Sequence, residues 1–301
     1  MLSGTATAQV RTTVLGQEDS MAAYIPYFFR EAPPAIRLPE VDVDAARRED
    51  QRRQGRPPRF GLKSAVDLTQ DDGRFYELDE ATMAWKLRLR SPGATSLNFV
   101  LRDFSLPPGG QLYLYDRGEG MVMGPIVPEV IFEATYATDM IFGDEVVLLA
   151  LLPAERQGDF SLRVTEAVHG YRADAVTRNF GASAACNVDV ACPLGNNWDI
   201  ESDAVGLILV DGDELCSGAL INSACHSYRP FFLTAFHCLD GGNGTLSQAE
   251  INAVSTWTFR FGYESPTCNG NEPTSWVSYS GSQFRAAWAE TDFLLLGTLP
   301  K

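Results

Sequence analysis

Long apolar runs are missing from this sequence of 301 residues. The longest uninterrupted apolar run, residues 146–152, contains seven residues and ends at Pro153. A helix that crosses a bilayer needs about 20 such residues. The sequence therefore predicts no membrane span.

Positive charge is also scarce. Lys and Arg total 24 against 39 Asp and Glu, which gives a formal net charge of −15. Because a phosphate backbone would be repelled by this excess of negative charge, we expect no nucleic-acid partner.

Apolar residues make up 45% of the chain, which is typical of folded proteins and excludes disorder throughout, and the length suggests about two domains.

Cysteine is absent from the first 185 residues, and all six cysteines follow. No two of them form a C-x-x-C pair, so a zinc ribbon or a redox motif of that type is not indicated. Their confinement to one part of the chain favours disulfides in an exported protein. Six unrelated buried thiols are the alternative.

Residues 1–8 end in Ala6-Thr7-Ala8, a small-x-small pattern that matches the cleavage site of a secretory signal. The basic and apolar regions that should precede such a site are not present. We therefore interpret residues 1–8 as the remnant of a signal peptide whose start lies further upstream. A chance run of small residues is the alternative.

Within residues 9–60, residues 33–59 contain paired prolines around the charge-dense stretch RREDQRR, with no apolar periodicity. This composition predicts an N-terminal segment and a charged linker. Residues 61–178 then show strands of period two, such as 85–89 and 97–101, separated by Gly- and Pro-containing turns. Short strands with regular turns indicate a β-sandwich. His169, its one histidine, is interpreted as a hydrogen-bonded structural residue.

The part after residue 178 has further strand candidates of a different character. They are residues 205–210, 219–221, 231–235, 255–261 and 293–296. A closed antiparallel barrel would need more strands, so residues 179–301 are expected to be an incomplete β domain.

Within this domain, the apolar strand 231–236 leads directly into His237 and Cys238. A strand end gives a histidine the fixed position that a general base needs. Asp292 precedes a second apolar strand, and its carboxylate could accept the Nδ1 proton of that histidine. The order His then Asp is the order of chymotrypsin-like proteases. For Asp292 alone, a turn residue that begins a strand is the alternative.

The sequence resembles the secreted bacterial serine endopeptidases of the lysyl endopeptidase type, over most of residues 80–299. Five motifs of residues 179–301 follow the order of that family: 181–193 (GASAACNVDVACP), 216–222 (CSGALIN), 233–238 (LTAFHC), 267–269 (TCN) and 292–296 (DFLLL). Three further segments resemble its propeptide: 91–94 (SPGA), 143–145 (GDE) and 169–172 (HGYR). The resemblance implies an all-β protein in which a β-sandwich propeptide precedes the first β-barrel half of a trypsin-like double-barrel protease.

The resemblance also implies roles for individual residues. His237 would be the general base and Asp292 its orienting carboxylate. The implied disulfides are Cys216–Cys238 and Cys192–Cys268.

Two cysteines are left over. The family pairs Cys186 with a cysteine of the second barrel, which this sequence lacks, and Cys225 departs from the family pattern. A zinc site of Cys225, His226, His237 and Cys238 is conceivable, although it would consume the proposed base. We expect no metal and no organic cofactor.

The nucleophile of the family lies in a Gly-x-Ser-Gly-x-Pro turn, and this motif occurs nowhere in the 301 residues. Ser217-Gly218 is the nearest imitation, but the resemblance places it on the disulfide strand. We therefore expect a secreted, monomeric endopeptidase precursor that acts on polypeptides, truncated before its serine and inactive as given. The alternative is a non-catalytic pseudo-protease or a β-sandwich binding module.

Overall fold

The computed structural model describes residues 10–53, 55–172, 188–225 and 229–298. The chain divides into two compact units. The first unit contains residues 1–40, 64–169 and 301, and the second contains residues 41–63 and 170–300. Strands predominate in both units, so the predicted all-β class is confirmed. Among the described residues, no helix has the length and apolar content to cross a membrane.

The first unit is built from two sheets. One has the strand order β1-β8-β7-β11-β5-β2 with β4 also paired to β5, and the other has the order β10-β6-β12-β3 with β9 paired to β6. The strands are β1 (Val10–Val14), β2 (Ile36–Arg37), β3 (Gly61–Thr69), β4 (Arg74–Asp79), β5 (Thr82–Arg90), β6 (Ser96–Ser105), β7 (Gln111–Asp116), β8 (Met121–Ile126), β9 (Tyr136–Ala137), β10 (Ile141–Phe142), β11 (Glu145–Pro153) and β12 (Ser161–Gly170).

The core of this unit follows from the sequence pattern. The apolar run 146–152 lies in β11, which pairs with β5 on one side and with β7 on the other. Val146 and Leu149 point to opposite faces of β11, and neither has any exposed surface. A strand that is buried on both faces reads as a continuous apolar run. His169 is buried, and its Nδ1 lies 2.7 Å from Ser91 Oγ. The predicted structural role of this histidine is confirmed.

The second unit contains a seven-stranded antiparallel sheet in the order β18-β19-β15-β14-β13-β16-β17. Its core is aromatic, with Trp257, Phe232 and Phe259 fully buried. The elements are α1 (Val43–Asp50), α2 (Asp199–Ala204), β13 (Val205–Val210), β14 (Glu214–Ile221), β15 (Phe231–Thr234), α3 (Gln248–Ala253), β16 (Thr258–Phe261), β17 (Ser275–Ser280), β18 (Ser282–Trp288) and β19 (Phe293–Thr298).

The structure differs from the linker predicted within residues 9–60. Helix α1 forms there, and Asp42 Oδ1 caps it by accepting a hydrogen bond from Ala45 N at 2.8 Å. Arg59 then fixes the helix, since its guanidinium donates to Ala46 O at 3.2 Å and lies 2.9 Å from Asp50 Oδ1. Asp50, which belongs to the charged stretch that predicted a linker, thus forms an ion pair with Arg59.

Asp213, in the turn between β13 and β14, has a carboxyl whose pKa is raised from 3.8 to about 7. The main cause is burial; Glu214 and Asp211 add to the increase, while Lys63 and Arg59 oppose it. Because the folded-state pKa lies above the unfolded-state value, the contribution of this group to stability is full below about pH 4. It is lost as the pH rises through about 7.

We therefore expect Asp213→Asn to raise the free energy of unfolding at about pH 8 by about 1–3 kcal/mol, with little change at about pH 4. Urea titrations at both pH values measure this difference. Glu290→Gln removes an exposed carboxylate of the same unit and should match the wild type at both. Equal effects of Asp213→Asn at the two pH values would contradict the raised pKa of the Asp213 carboxyl.

Candidate active site

His237 lies where β15 ends. The strand buries Phe232 and Thr234, and a 3-10 turn, Phe236–Cys238, follows directly. The turn brings Cys238 into the core and leaves His237 half-exposed. The order of apolar and polar residues thus places an imidazole at the rim of the sheet.

Asp292 lies at the start of β19, the strand that pairs antiparallel with β15. The register places Thr234 opposite Leu294, so the end of one strand meets the beginning of the other. Asp292 has a φ of 51°, a left-handed conformation that aspartate tolerates better than most residues. Its carbonyl oxygen accepts a hydrogen bond from Phe236 N at 3.1 Å.

Two hydrogen bonds join Asp292 to His237, one to its imidazole and one to its backbone. Asp292 Oδ2 lies 2.7 Å from His237 Nδ1, and Asp292 Oδ1 accepts from the backbone N–H of His237 at 2.9 Å. Partial burial tends to raise the pKa of Asp292, but the hydrogen bonds from His237 outweigh it and hold the pKa below its ordinary value. These hydrogen bonds therefore favour the ionised form of the Asp292 carboxylate.

Two disulfides are present, and they join the pairs that the family resemblance implied. Cys216 on β14 is bonded to Cys238, with a Cα–Cα distance of 6.2 Å. This bond attaches the histidine turn to the neighbouring strand. Cys192 is bonded to Cys268, with a Cα–Cα distance of 4.4 Å.

The remaining candidates are placed as follows. Ser217 lies within β14 opposite Leu207, on the disulfide strand. Cys225 is exposed, and its Sγ lies 3.3 Å from Ser223 Oγ. Cys186 lies outside the described residues, so the pairing of these two cysteines stays a prediction.

The zinc alternative does not fit the structure. Potential ligand atoms of Cys216, His237 and Cys238 lie within 4.8 Å of one another. However, both sulfur atoms belong to one disulfide, and only a thiolate binds zinc. His226 lies outside the described residues.

An open cleft of about 530 Å³ adjoins the His–Asp pair. The residues that line it are Gly55, Arg56, Phe236, His237, Asp240, Gly244, Ala289 and Asp292. A second cavity, of about 380 Å³, is also lined by His237 and partly by Arg56, Pro57 and Pro58. Residues 55–58 carry no sequence signal of a site, because nothing in their composition indicates chemistry.

Comparison with known proteins shows what the part of the chain that contains this site is similar to. Residues 180–298 match the sequence profile of the lysyl endopeptidase C-terminal domain. A curated lysyl endopeptidase from Pseudomonas aeruginosa strain PAO1 is 26% identical over 235 residues, which cover 71% of this chain. These matches support a protein of the lysyl endopeptidase type. The resemblance stated from the sequence is thereby confirmed.

The aligned region covers 48% of the Pseudomonas protein, so the chain spans about half the length of the curated relative it matches. His237, Asp292 and both disulfides lie within residues 180–298. The residues brought together in the structure are therefore those of the matched domain.

Proposed function

We propose that this chain supplies the general base, His237, and its orienting carboxylate, Asp292, to a secreted trypsin-like serine endopeptidase. The observation that carries the proposal is the 2.7 Å contact between His237 Nδ1 and Asp292 Oδ2 beside an open cleft. The match to the lysyl endopeptidase C-terminal domain supports the same reaction class. The substrate would be a polypeptide.

The geometry suits proton transfer during acyl transfer. With its Nδ1 proton donated to Asp292, the imidazole has a lone pair on Nε2. That atom would take the proton of a serine hydroxyl as the serine oxygen attacks the scissile carbonyl, and would return it to the leaving amine. The ionised carboxylate of Asp292 would stabilise the imidazolium formed between the two steps.

The nucleophile is proposed to lie outside these 301 residues. They contain no Gly-x-Ser-Gly-x-Pro motif, and Ser217 lies within β14. Without a serine and its oxyanion donors, an acyl-enzyme cannot form. The coverage of about half the curated relative is consistent with a serine supplied by another part of the protein.

The architecture proposed for this function has two parts. Strands β13–β19 would form the first barrel half of the protease, within residues 179–301. Residues 61–178 would form a β-sandwich propeptide. The two disulfides and the cysteine-free first 185 residues support export to an oxidising compartment.

The test is to express residues 1–301 and, in parallel, the reading frame extended downstream. We expect peptide-bond hydrolysis at background level for residues 1–301 and activity for the extended chain, which should encode the serine turn. A stop codon directly after residue 301 would favour the second candidate, a pseudo-protease or β-sandwich binding protein. That candidate has one observation in its favour, the absence of the serine motif.

We also expect processing near Arg178 in the active enzyme. The matched domain begins at residue 180, cysteine usage changes there, and Arg178 offers a basic cleavage point. N-terminal sequencing of the secreted enzyme should give Gly181 as the first residue. An active enzyme in which both parts remain covalently joined would contradict this prediction.

A further inference from the structure

A short extended segment, residues 55–61, runs along the beginning of β14 and is defined here as the strap. Pro58 O accepts a hydrogen bond from Leu215 N at 3.0 Å, and Phe60 N donates to Asp213 O at 2.9 Å. Main-chain hydrogen bonds of this kind are how an extended polypeptide adds to a sheet edge. The strap and β14 both belong to the second unit.

The register of the strap directs it toward the catalytic histidine. Arg59 and Glu214 form an antiparallel bridge, so the same register, continued by two residues, places Pro57 opposite Cys216. Cys216 is bonded to Cys238, the residue after His237. Pro57 is buried and lines the smaller cavity together with Cys216 and His237.

Two arginines anchor the strap at its N-terminal end. The Arg56 guanidinium donates to the carbonyl oxygen of Gly241, in the loop that follows the histidine turn. Arg53, just before the strap, pairs with Glu214, and both side chains are mostly buried. Charge-assisted contacts of this kind are stronger than hydrogen bonds between neutral groups.

Arg56 contributes to both cavities that His237 lines. Pro57 lines the smaller of these cavities as well. Pro57 and Pro58 hold φ near −65°, which lowers the conformational entropy lost when an extended segment is held in place. Under the proposed function, a polypeptide substrate would present its own extended backbone beside the same histidine.

We propose that the strap is an autoinhibitory segment that covers the edge of β14 beside His237, where the backbone of a polypeptide substrate would bind, and must leave before a substrate can bind. This inference rests on the proposed function, since it takes the cleft to be a substrate cleft. It assigns the inhibitory contact to residues that precede the β-sandwich. Cleavage near Arg178 alone would leave the strap bound.

The first test measures docking of the strap in the chain of 301 residues, without any assay of hydrolysis. Backbone amide exchange is followed by NMR in the wild type and in the Arg53→Ala/Arg56→Ala double variant. The Leu215 amide should be protected in the wild type and should exchange at least about tenfold faster in the double variant. Arg163→Ala, which removes an exposed pair with Asp67 in the first unit, should leave Leu215 unchanged.

The second test measures occupancy of the cleft. A synthetic peptide with the sequence of residues 53–61 (RQGRPPRFG) is titrated by calorimetry into the wild type, the double variant and Arg163→Ala. Because the wild-type strap competes in cis, the double variant should bind the peptide at least about tenfold more tightly than the other two proteins.

Rapid exchange of the wild-type Leu215 amide, or equal peptide affinity in all three proteins, would overturn the proposal. Neither readout depends on catalysis. Loss of the proposed function would instead appear as hydrolysis that does not depend on His237 in the extended chain, with these two results unaltered. The two failures are therefore distinguishable.

Discussion

Asp292→Asn in the extended, active chain is expected to lower kcat about 10⁴-fold. The amide can still occupy the position of the carboxylate, but it cannot stabilise the imidazolium, and its NH₂ group would favour the wrong tautomer of His237. The 2.7 Å contact with Nδ1 makes the tautomer sensitive to this exchange. The measurement is steady-state hydrolysis of a peptide substrate, with kcat and KM determined separately.

Glu290→Gln is the matched control, because it removes one negative charge from an exposed residue in the same turn. It should retain kcat within about twofold, since screened surface charges contribute little. If the two variants retained equal activity, Asp292 would be a turn residue that only begins β19. A change confined to KM would equally contradict the assigned role.

Removal of the Cys216–Cys238 disulfide by paired Cys→Ser changes is expected to lower the free energy of unfolding by about 3 kcal/mol. The bond closes a sequence separation of 22 residues, and its loss restores conformational entropy to the unfolded chain. Urea unfolding of the chain of 301 residues measures the change. In the extended chain, the same variant should also lose kcat because the histidine turn is no longer attached to β14.

The Cys192–Cys268 disulfide provides the comparison. It closes a separation of 76 residues, so the same relation gives a larger loss of stability, about 4 kcal/mol. It does not attach the histidine turn, so kcat should fall less than in the Cys216/Cys238 variant. An equal or greater loss of kcat in the Cys192/Cys268 variant would show that the first disulfide does not position the base.

Side-chain patterns predicted much of this structure. The continuous apolar run at 146–152 lies in strand β11, which pairs with β5 and with β7. The period-two pattern at 85–89 lies in strand β5. The strand β17 was missed because one of its buried positions is Ser278, which breaks the apolar alternation. Strand β18 lies at the end of the sheet order and carries polar residues, so it gave no signal either.

The residues of the candidate site could be predicted from the sequence, but their contact could not. An apolar strand that ends in His237 and another that begins after Asp292 can be recognised separately, but their contact depends on the pairing of β15 with β19. The strap could not be predicted in this way. Its contact with β14 is made by Pro58 O and Leu215 N, and main-chain groups leave no mark in a side-chain pattern.

Labelling by a serine-directed phosphonate, followed by peptide mapping, tests the central claim most directly. The extended chain, its His237→Ala variant and the chain of 301 residues are treated in parallel. We expect one labelled serine in the extended chain, within a Gly-x-Ser-Gly-x-Pro turn, and strong loss of labelling without the imidazole of His237. We expect none in residues 1–301. Stoichiometric labelling of the chain of 301 residues, or unchanged labelling of His237→Ala, would contradict the account.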